Sequence, residues 1–199
     1  MSVRATAVVA LSPNHSRPVL PRPGHPAPRD TGAAAVEFAL VIPMLLMILF
    51  GIVEYGLWFT DSIGLRHGAR EVARAGVVGQ WDRGAASCDR APLPGASANM
   101  QTLACTAANV TPRTSSDLYV KIAVLDADGA PTSSWAVGGT LRVCLLEHHQ
   151  AVTGLAPMPE GGVIRSRIDM AIEQAAELQE ESGGQDALPV ETGADWNWC

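Results

Sequence analysis

The chain has 199 residues, 47% of them hydrophobic and 17% charged, and a formal net charge of −6. This acidic balance argues against a nucleic-acid-binding protein, because such proteins carry clustered positive charge to meet phosphates. The hydrophobic residues are concentrated in one early segment, which separates a short amino-terminal part from a longer carboxy-terminal part.

The first 31 residues differ in composition from the rest of the chain. Six prolines fall between Pro13 and Pro28, and four arginines stand against one acid, Asp30. No apolar periodicity supports a core in this segment. The composition therefore predicts a basic, extended and flexible tail.

Residues 33–60 form an apolar run that is interrupted by two acids, Glu37 and Glu54. About 20 apolar residues are needed to cross ~30 Å of hydrocarbon, whereas a secretory signal has a core of roughly 7–15 residues. The run therefore predicts a transmembrane helix, with Tyr55 and Trp58 at a membrane interface. Arginines are equally frequent on both sides of the run, so their count does not fix its orientation.

Three residues inside the span are unusual in a membrane helix, namely two acids and a proline. A carboxylate such as Glu37 costs on the order of 2.5–3.5 kcal/mol at the bilayer centre on insertion scales. Glu54 is expected near the opposite interface, where it either contacts a partner helix beside Gly51 and Gly56 or faces water. Pro43 removes one backbone hydrogen bond and predicts a helix kink.

The string GAAAVEFALVIPMLLMILFGIVEYG, together with the later LRHGAREVARAG, resembles the TadE family, the minor pseudopilins of the tight-adherence (Flp) pilus. The resemblance covers residues 32–76. It implies that a prepilin peptidase cuts between Gly32 and Ala33, so that residues 1–32 are a cytoplasmic leader. It also implies that Glu37 helps to dock the subunit and that the remainder of the chain is exported.

The chemistry of such a cut is consistent with a docking role for Glu37. A freed amine on Ala33 would be positively charged and would lie one helical turn from Glu37. The two groups could then pair within one subunit or between neighbours in the membrane. The alternative is that Glu37 only extends to the headgroups.

The helix is expected to continue outside the membrane to about Val78, within an extracytoplasmic segment of residues 61–83. Its small and apolar residues recur at helical spacing on one face, namely Leu65, Ala69, Val72, Ala73 and Gly76. A second face carries a stripe of arginines at positions 66, 70 and 74. This stripe is either a solvated face or a contact with lipid phosphates or an acidic neighbour.

Residues 84–180 carry the pattern of a small α+β domain. Period-two alternation predicts strands at residues 118–124, 141–147 and 164–172, and Asp126–Gly129 has the composition of a turn. Three antiparallel strands packed against one long helix give an α+β, pilin-like fold.

All four cysteines lie beyond the span, at Cys88, Cys105, Cys144 and Cys199. Four cysteines allow three pairings, and the sequence does not choose among them. Cys88 with Cys105 is the preferred disulfide, because both are expected in one loop region. Cys144, in a predicted strand, is a candidate free thiol. Disulfides persist outside the cytoplasm, which agrees with an exported domain.

The remaining polar motifs predict no enzyme, metal site or cofactor. Glu147, His148 and His149 lack the spacing that places two histidines on one helical face around zinc, and we expect the histidines to be solvent-exposed. No catalytic set is recognisable. Residues 181–199 read as an acidic, flexible tail, in which Trp196 and Trp198 could dock on the domain or on a partner.

These features favour a membrane-anchored minor pseudopilin with a structural or assembly role in an Flp-type pilus. The expected partners are other pseudopilins, the assembly platform, the prepilin peptidase and membrane lipid. The chain would cross the cell membrane once, with its amino terminus cytoplasmic and its carboxy-terminal domain extracytoplasmic. The alternative is a single-span receptor or adhesin with an external binding domain.

Overall fold

The structure is a computed structural model with full side chains. It describes residues 31–81, 93–111, 118–155, 157–174, 180–189 and 194–199. The chain divides into two units, Met1–Val41 and Ile42–Cys199. In the first unit the described residues are helical, and in the second they form the remainder of this helix and an α+β domain.

The long helix α1 spans Thr31–Val77 and contains Pro43. It ends in a Schellman arrangement, in which Gly79 N–H donates to the carbonyl of Gly76 at 2.9 Å and Gln80 N–H to that of Ala75 at 2.9 Å. Gly79 has a φ of 68°, which glycine adopts without strain. The helix therefore ends at Val77, one residue from its expected end, because this glycine leaves the helical conformation.

The second half of α1 confirms the predicted apolar face. Every member of that face is buried: Leu65, Ala69, Val72, Ala73 and Gly76. The three arginines of the stripe are exposed. Gly76 is required by packing, because a Cβ there would lie 2.4 Å from Leu141 Cδ2 and 2.9 Å from Leu103 Cδ1.

The sheet has the strands β1 (Leu118–Leu125), β2 (Thr140–His148), β3 (Val163–Ala171) and β4 (Gly184–Gln185). All are antiparallel, in the order β3-β2-β1-β4, so β3 is an edge strand. The three long strands lie where period-two alternation predicts them, and the α+β fold class is confirmed. The turn after β1 is confirmed as well, with Asp126 Oδ1 accepting from Ala130 N–H at 2.8 Å.

A second helix, α2 (Ala98–Val110), was not predicted. Its N-cap is Ser97, whose side chain accepts from the Met100 N–H. The Ser97 hydroxyl and the Asn99 amide both donate to the buried carboxylate of Glu181. The region expected to be a loop around Cys105 is therefore helical and is bound to a segment far along the chain.

The core lies between α1, α2 and one face of the sheet. Its largest fully buried side chains include Leu65 from α1, Leu103 from α2 and Leu145 from β2. Fully burying one such side chain contributes about 1.5–3 kcal/mol, so these contacts hold the outer half of α1 to the domain.

The opposite face of the sheet is covered in part by the carboxy-terminal segment. A disulfide joins Cys144 of β2 to Cys199, with 6.2 Å between their Cα atoms. Arg142 donates to the Cys199 carbonyl at 3.0 Å and to both oxygens of Asp169. Burial opposes ionisation of Asp169, but hydrogen bonds from Arg142 and Arg167 hold its pKa at about 2.

Two expectations about this segment are corrected. Cys144 is a disulfide partner and not a free thiol, because β2 presents it on the face where residue 199 lies. Residues 181–199 are not wholly a flexible tail, because β4 pairs with β1. Trp196 remains within the domain, where its Nε1–H donates to the Asp186 carbonyl at 2.9 Å.

Candidate functional site

The predicted processing site lies in the first unit, at the beginning of α1. Gly32 and Glu37 are both exposed, and a Cβ added to Gly32 would meet nothing within 4 Å. Ala33 is exposed as well. The leader before residue 31 lies outside the described residues. Cleavage, docking through Glu37 and a kink at Pro43 stay predictions.

Glu54 occupies a different environment in the second unit. Its side chain is 0% exposed, although it lies on a helix whose neighbouring residues Val53 and Leu57 are exposed. Val152 N–H donates to Oε1 at 2.6 Å, and the Thr153 N–H and hydroxyl donate to Oε2 at 3.1 and 2.9 Å. Three donors therefore satisfy a carboxylate that is completely removed from solvent.

These donors come from the segment that follows β2, residues 150–158, which we call the Glu54 loop; Ala156 within it lies outside the described part. A second hydrogen bond fixes the far end of this loop to α1, since the Tyr55 hydroxyl donates to the Pro157 carbonyl at 2.7 Å. The loop is thus bound to consecutive residues of the helix at both of its ends.

About two turns beyond Glu54 along α1, Asp61 forms a second buried polar contact. Its Oδ2 lies 2.7 Å from Nδ1 of His149, and the two residues are 6% and 2% exposed. His149 lies immediately before the Glu54 loop, and its own N–H donates to the Gly162 carbonyl at 2.9 Å. The loop is therefore attached to α1 directly at Glu54 and Tyr55. The adjacent residue His149 adds a third attachment at Asp61.

These contacts attach the Glu54 loop to α1 and form no reactive group. Backbone amides and a hydroxyl replace the water that a carboxylate would otherwise need, so Glu54 can remain inside an apolar environment. The arrangement holds the first residues after β2 at a fixed height on the helix. Among the residues that the structure describes, no group of three or more His, Cys, Asp and Glu side chains is placed to hold a metal ion.

The structure corrects two expectations here. The alternative in which Glu54 faces water is wrong, because three hydrogen-bond donors of the same chain surround its carboxylate. Docking of a partner helix at Glu54 stays a prediction. His149 is buried and not solvent-exposed, because the end of β2 directs it toward α1. Thr153 and Asp61 were missed: their partners are 99 and 88 residues away, and no local spacing signals such a contact.

The structure does not describe both members of the predicted Cys88–Cys105 disulfide. Cys105 lies in α2, but Cys88 lies outside the described residues. The Cys88–Cys105 pairing stays a prediction, and none of the described cysteines is a free thiol.

The apolar part of α1 is long enough to cross a membrane, and its most hydrophobic window is 0% buried. A core helix of a soluble domain would be covered, so this surface marks the chain as a single-pass membrane protein, as far as the described residues go.

Comparison with known proteins gives a family match on α1. No curated protein and no solved structure matches the sequence. Residues 32–74 match the model of the family described as TadE-like protein. The match begins at Gly32 and includes Glu37, Glu54 and Asp61, while the sheet and the Glu54 loop lie beyond it. The resemblance seen in the sequence is confirmed by this match, which covers 43 of the 199 residues and lies on the helix that carries the candidate site.

Proposed function

We propose that this chain is a minor pseudopilin of the TadE type, which takes part in assembling an Flp-type pilus. The observation that carries the proposal is the position of the family match, which begins at Gly32 and places Glu37 five residues later. A glycine followed by a short small-residue stretch and an acid at the start of an apolar helix is the arrangement that a prepilin peptidase and a docking carboxylate require.

We infer that the amino terminus is cytoplasmic and that the α+β domain lies outside the cytoplasm. The Cys144–Cys199 disulfide supports this orientation, because such bonds persist in oxidising compartments. The partners would be other pseudopilins, the assembly platform and the processing peptidase, and the role would be structural and not enzymatic.

The attachment of the domain to α1 suits such a role. The core and the contacts of Glu54 and Asp61 fasten the domain to residues 54–77 of the helix. A force applied to the helix during assembly would therefore be transmitted to the domain through these contacts.

Processing is tested by the substitution Gly32→Leu. The intact mass of membrane-isolated protein should fall by the mass of the 32-residue leader when the prepilin peptidase is present, and Gly32→Leu should abolish this change. The space around Gly32 is open, so the substitution should not disturb folding.

Gly51→Leu is the matched control, because Gly51 lies in the same helix with equally open surroundings. This control should be cut normally. An intact leader in the wild-type chain from cells that contain the peptidase would contradict the proposal and would favour a single-span receptor.

Docking is tested by Glu37→Gln and Glu37→Ala. Both variants should insert in the membrane at least as well as the parent, because a carboxylate that costs about 2.5–3.5 kcal/mol at mid-membrane is removed. Both should still be cut after Gly32, but pilus number and co-purification of other pseudopilins should fall strongly. Glu37→Asp keeps the charge and should retain most of the assembly. Normal piliation by the glutamine and alanine variants would show that the carboxylate does not dock the subunit.

A further inference from the structure

We propose that the described residues of the Glu54 loop form a second membrane contact, in which Val152 and Leu155 insert into the extracytoplasmic lipid interface beside the span. The inference needs the membrane span of α1 but not the pilus role. It rests on the height of the loop, on its composition and on the exposure of its side chains.

The height of the loop is set by its hydrogen bonds to Glu54 and Tyr55. Exposed apolar side chains continue along α1 beyond this level, to Phe59 and Ile63. The next exposed charged residue of the helix is Arg66, which lies about 18 Å beyond Glu54 at 1.5 Å per residue. The loop is therefore attached within the apolar band of the helix and not above it.

The composition of the loop matches that environment. From Gln150 to Pro159 the sequence is QAVTGLAPMP, which contains no charged residue. Its two largest apolar side chains near the tip are turned away from the domain, with Val152 66% and Leu155 59% exposed. A loop in water would gain nothing from this exposure, whereas at an interface each buried side chain is stabilising.

The polar groups of the loop face the helix, on the side opposite to the exposed apolar side chains. The Val152 and Thr153 amides and the Thr153 hydroxyl point inward to the Glu54 carboxylate. The only acid of the helix at this level is thus hidden from lipid, and the backbone donors are satisfied while the apolar side chains face outward. The lipid-facing surface of the span continues without a charge from the helix onto the loop.

Site-directed spin labelling of the full chain in phosphatidylcholine–phosphatidylglycerol vesicles tests this contact. Val152→Cys should give a nitroxide with high accessibility to oxygen and low accessibility to a water-soluble nickel chelate. The matched control is Val137→Cys, since Val137 is 64% exposed and lies before β2, at the end of the strand opposite to the loop. The oxygen-to-nickel ratio should be several-fold higher at position 152 than at position 137.

A third label, at Ile48→Cys in the span, separates the possible failures. If position 48 is protected from nickel but position 152 is as accessible as position 137, the loop faces water and the inference is wrong. If position 152 becomes protected only when other pseudopilins are added, the loop is a protein-docking surface and the lipid contact is likewise excluded. If position 48 is also accessible to nickel, α1 does not cross the membrane and the inference is wrong. Leu155→Cys provides an independent reading of the loop, and peptide mapping should show the Cys144–Cys199 bond intact in each labelled variant.

Discussion

The double substitution Cys144→Ala and Cys199→Ala is expected to lower the unfolding free energy of the domain by about 4 kcal/mol in the chain-entropy model of disulfides. The bond joins residues 55 positions apart, so its loss gives the unfolded chain a long loop of added freedom. For a domain of this size the unfolding midpoint should fall by roughly 10 °C. Thermal unfolding of detergent-solubilised protein, followed by near-ultraviolet circular dichroism, measures the change.

Both cysteines are replaced together so that the change in stability reports the loss of this bond alone. Removing both cysteines avoids a buried free thiol at position 144, which is 0% exposed. A reductant would also open any other disulfide, so substitution isolates this one bond. Arg142→Ala is the control for the carboxy-terminal segment, because it removes the contacts with the Cys199 carbonyl and with Asp169 but leaves the disulfide. A midpoint that stays within 2 °C of the parent would show that the bond does not stabilise the fold.

Asp61→Leu is expected to cost about 3 kcal/mol of stability, near the upper end for a buried polar group that loses its partner. The substitution leaves Nδ1 of His149 without its acceptor at 2.7 Å. Nε2 of the same ring has no hydrogen-bond partner among the described residues, so the whole imidazole would be buried unsatisfied. Chemical unfolding of the detergent-solubilised protein, monitored by tryptophan fluorescence, measures the loss.

A double-mutant cycle distinguishes a specific contact from general damage. In the combination of Asp61→Leu with His149→Leu both polar partners are absent, and part of the lost stability should return. The expected coupling energy is about 0.5–3 kcal/mol, as for residues in direct contact. His148→Leu is the adjacent control and should change stability little, because His148 is only half-buried. Strictly additive effects of the two leucines would contradict a direct interaction.

The regular elements of this fold could be predicted from the sequence because their signals are local. Alternation at period two located the three long strands, and the helical spacing of small and apolar residues from Leu65 to Gly76 identified the buried face of α1. The apolar run that follows Gly32 identified the span in the same way. Each of these patterns lies within one element and needs no knowledge of what packs against it.

The elements that were missed have weak local signals or depend on distant partners. The buried residues of α2 recur at helical spacing, at Met100, Leu103, Ala104, Ala107 and Ala108, but most of them are alanines, so this stripe and the Ser97 cap are weak signals. Strand β4 has two residues and exists because β1 offers an edge there. The pairing of Cys144 with Cys199 required knowledge of which sheet face the carboxy-terminal segment covers.

The candidate site shows the same division. Glu37 and Glu54 could be selected because an acid is conspicuous in an apolar helix, but the sequence could not reveal what each contacts. The Glu54 carboxylate accepts hydrogen bonds from loop donors that begin 98 residues further along the chain. Asp61 contacts His149, which was predicted to be exposed because it is adjacent to His148 at the end of a strand.

The edge position of β3 has a consequence for a protein that is held in a membrane beside other copies of the same chain. Tethered copies diffuse in two dimensions with their domains at one height, so exposed strand edges meet far more often than in free solution. An open edge of nine residues would favour uncontrolled strand pairing between neighbours. Arg165 and Arg167 are exposed along this strand, where they form ion pairs with Glu160 and Asp169. Charged side chains on an edge strand disfavour its pairing with another chain, so these residues oppose polymerisation through the sheet when copies are crowded.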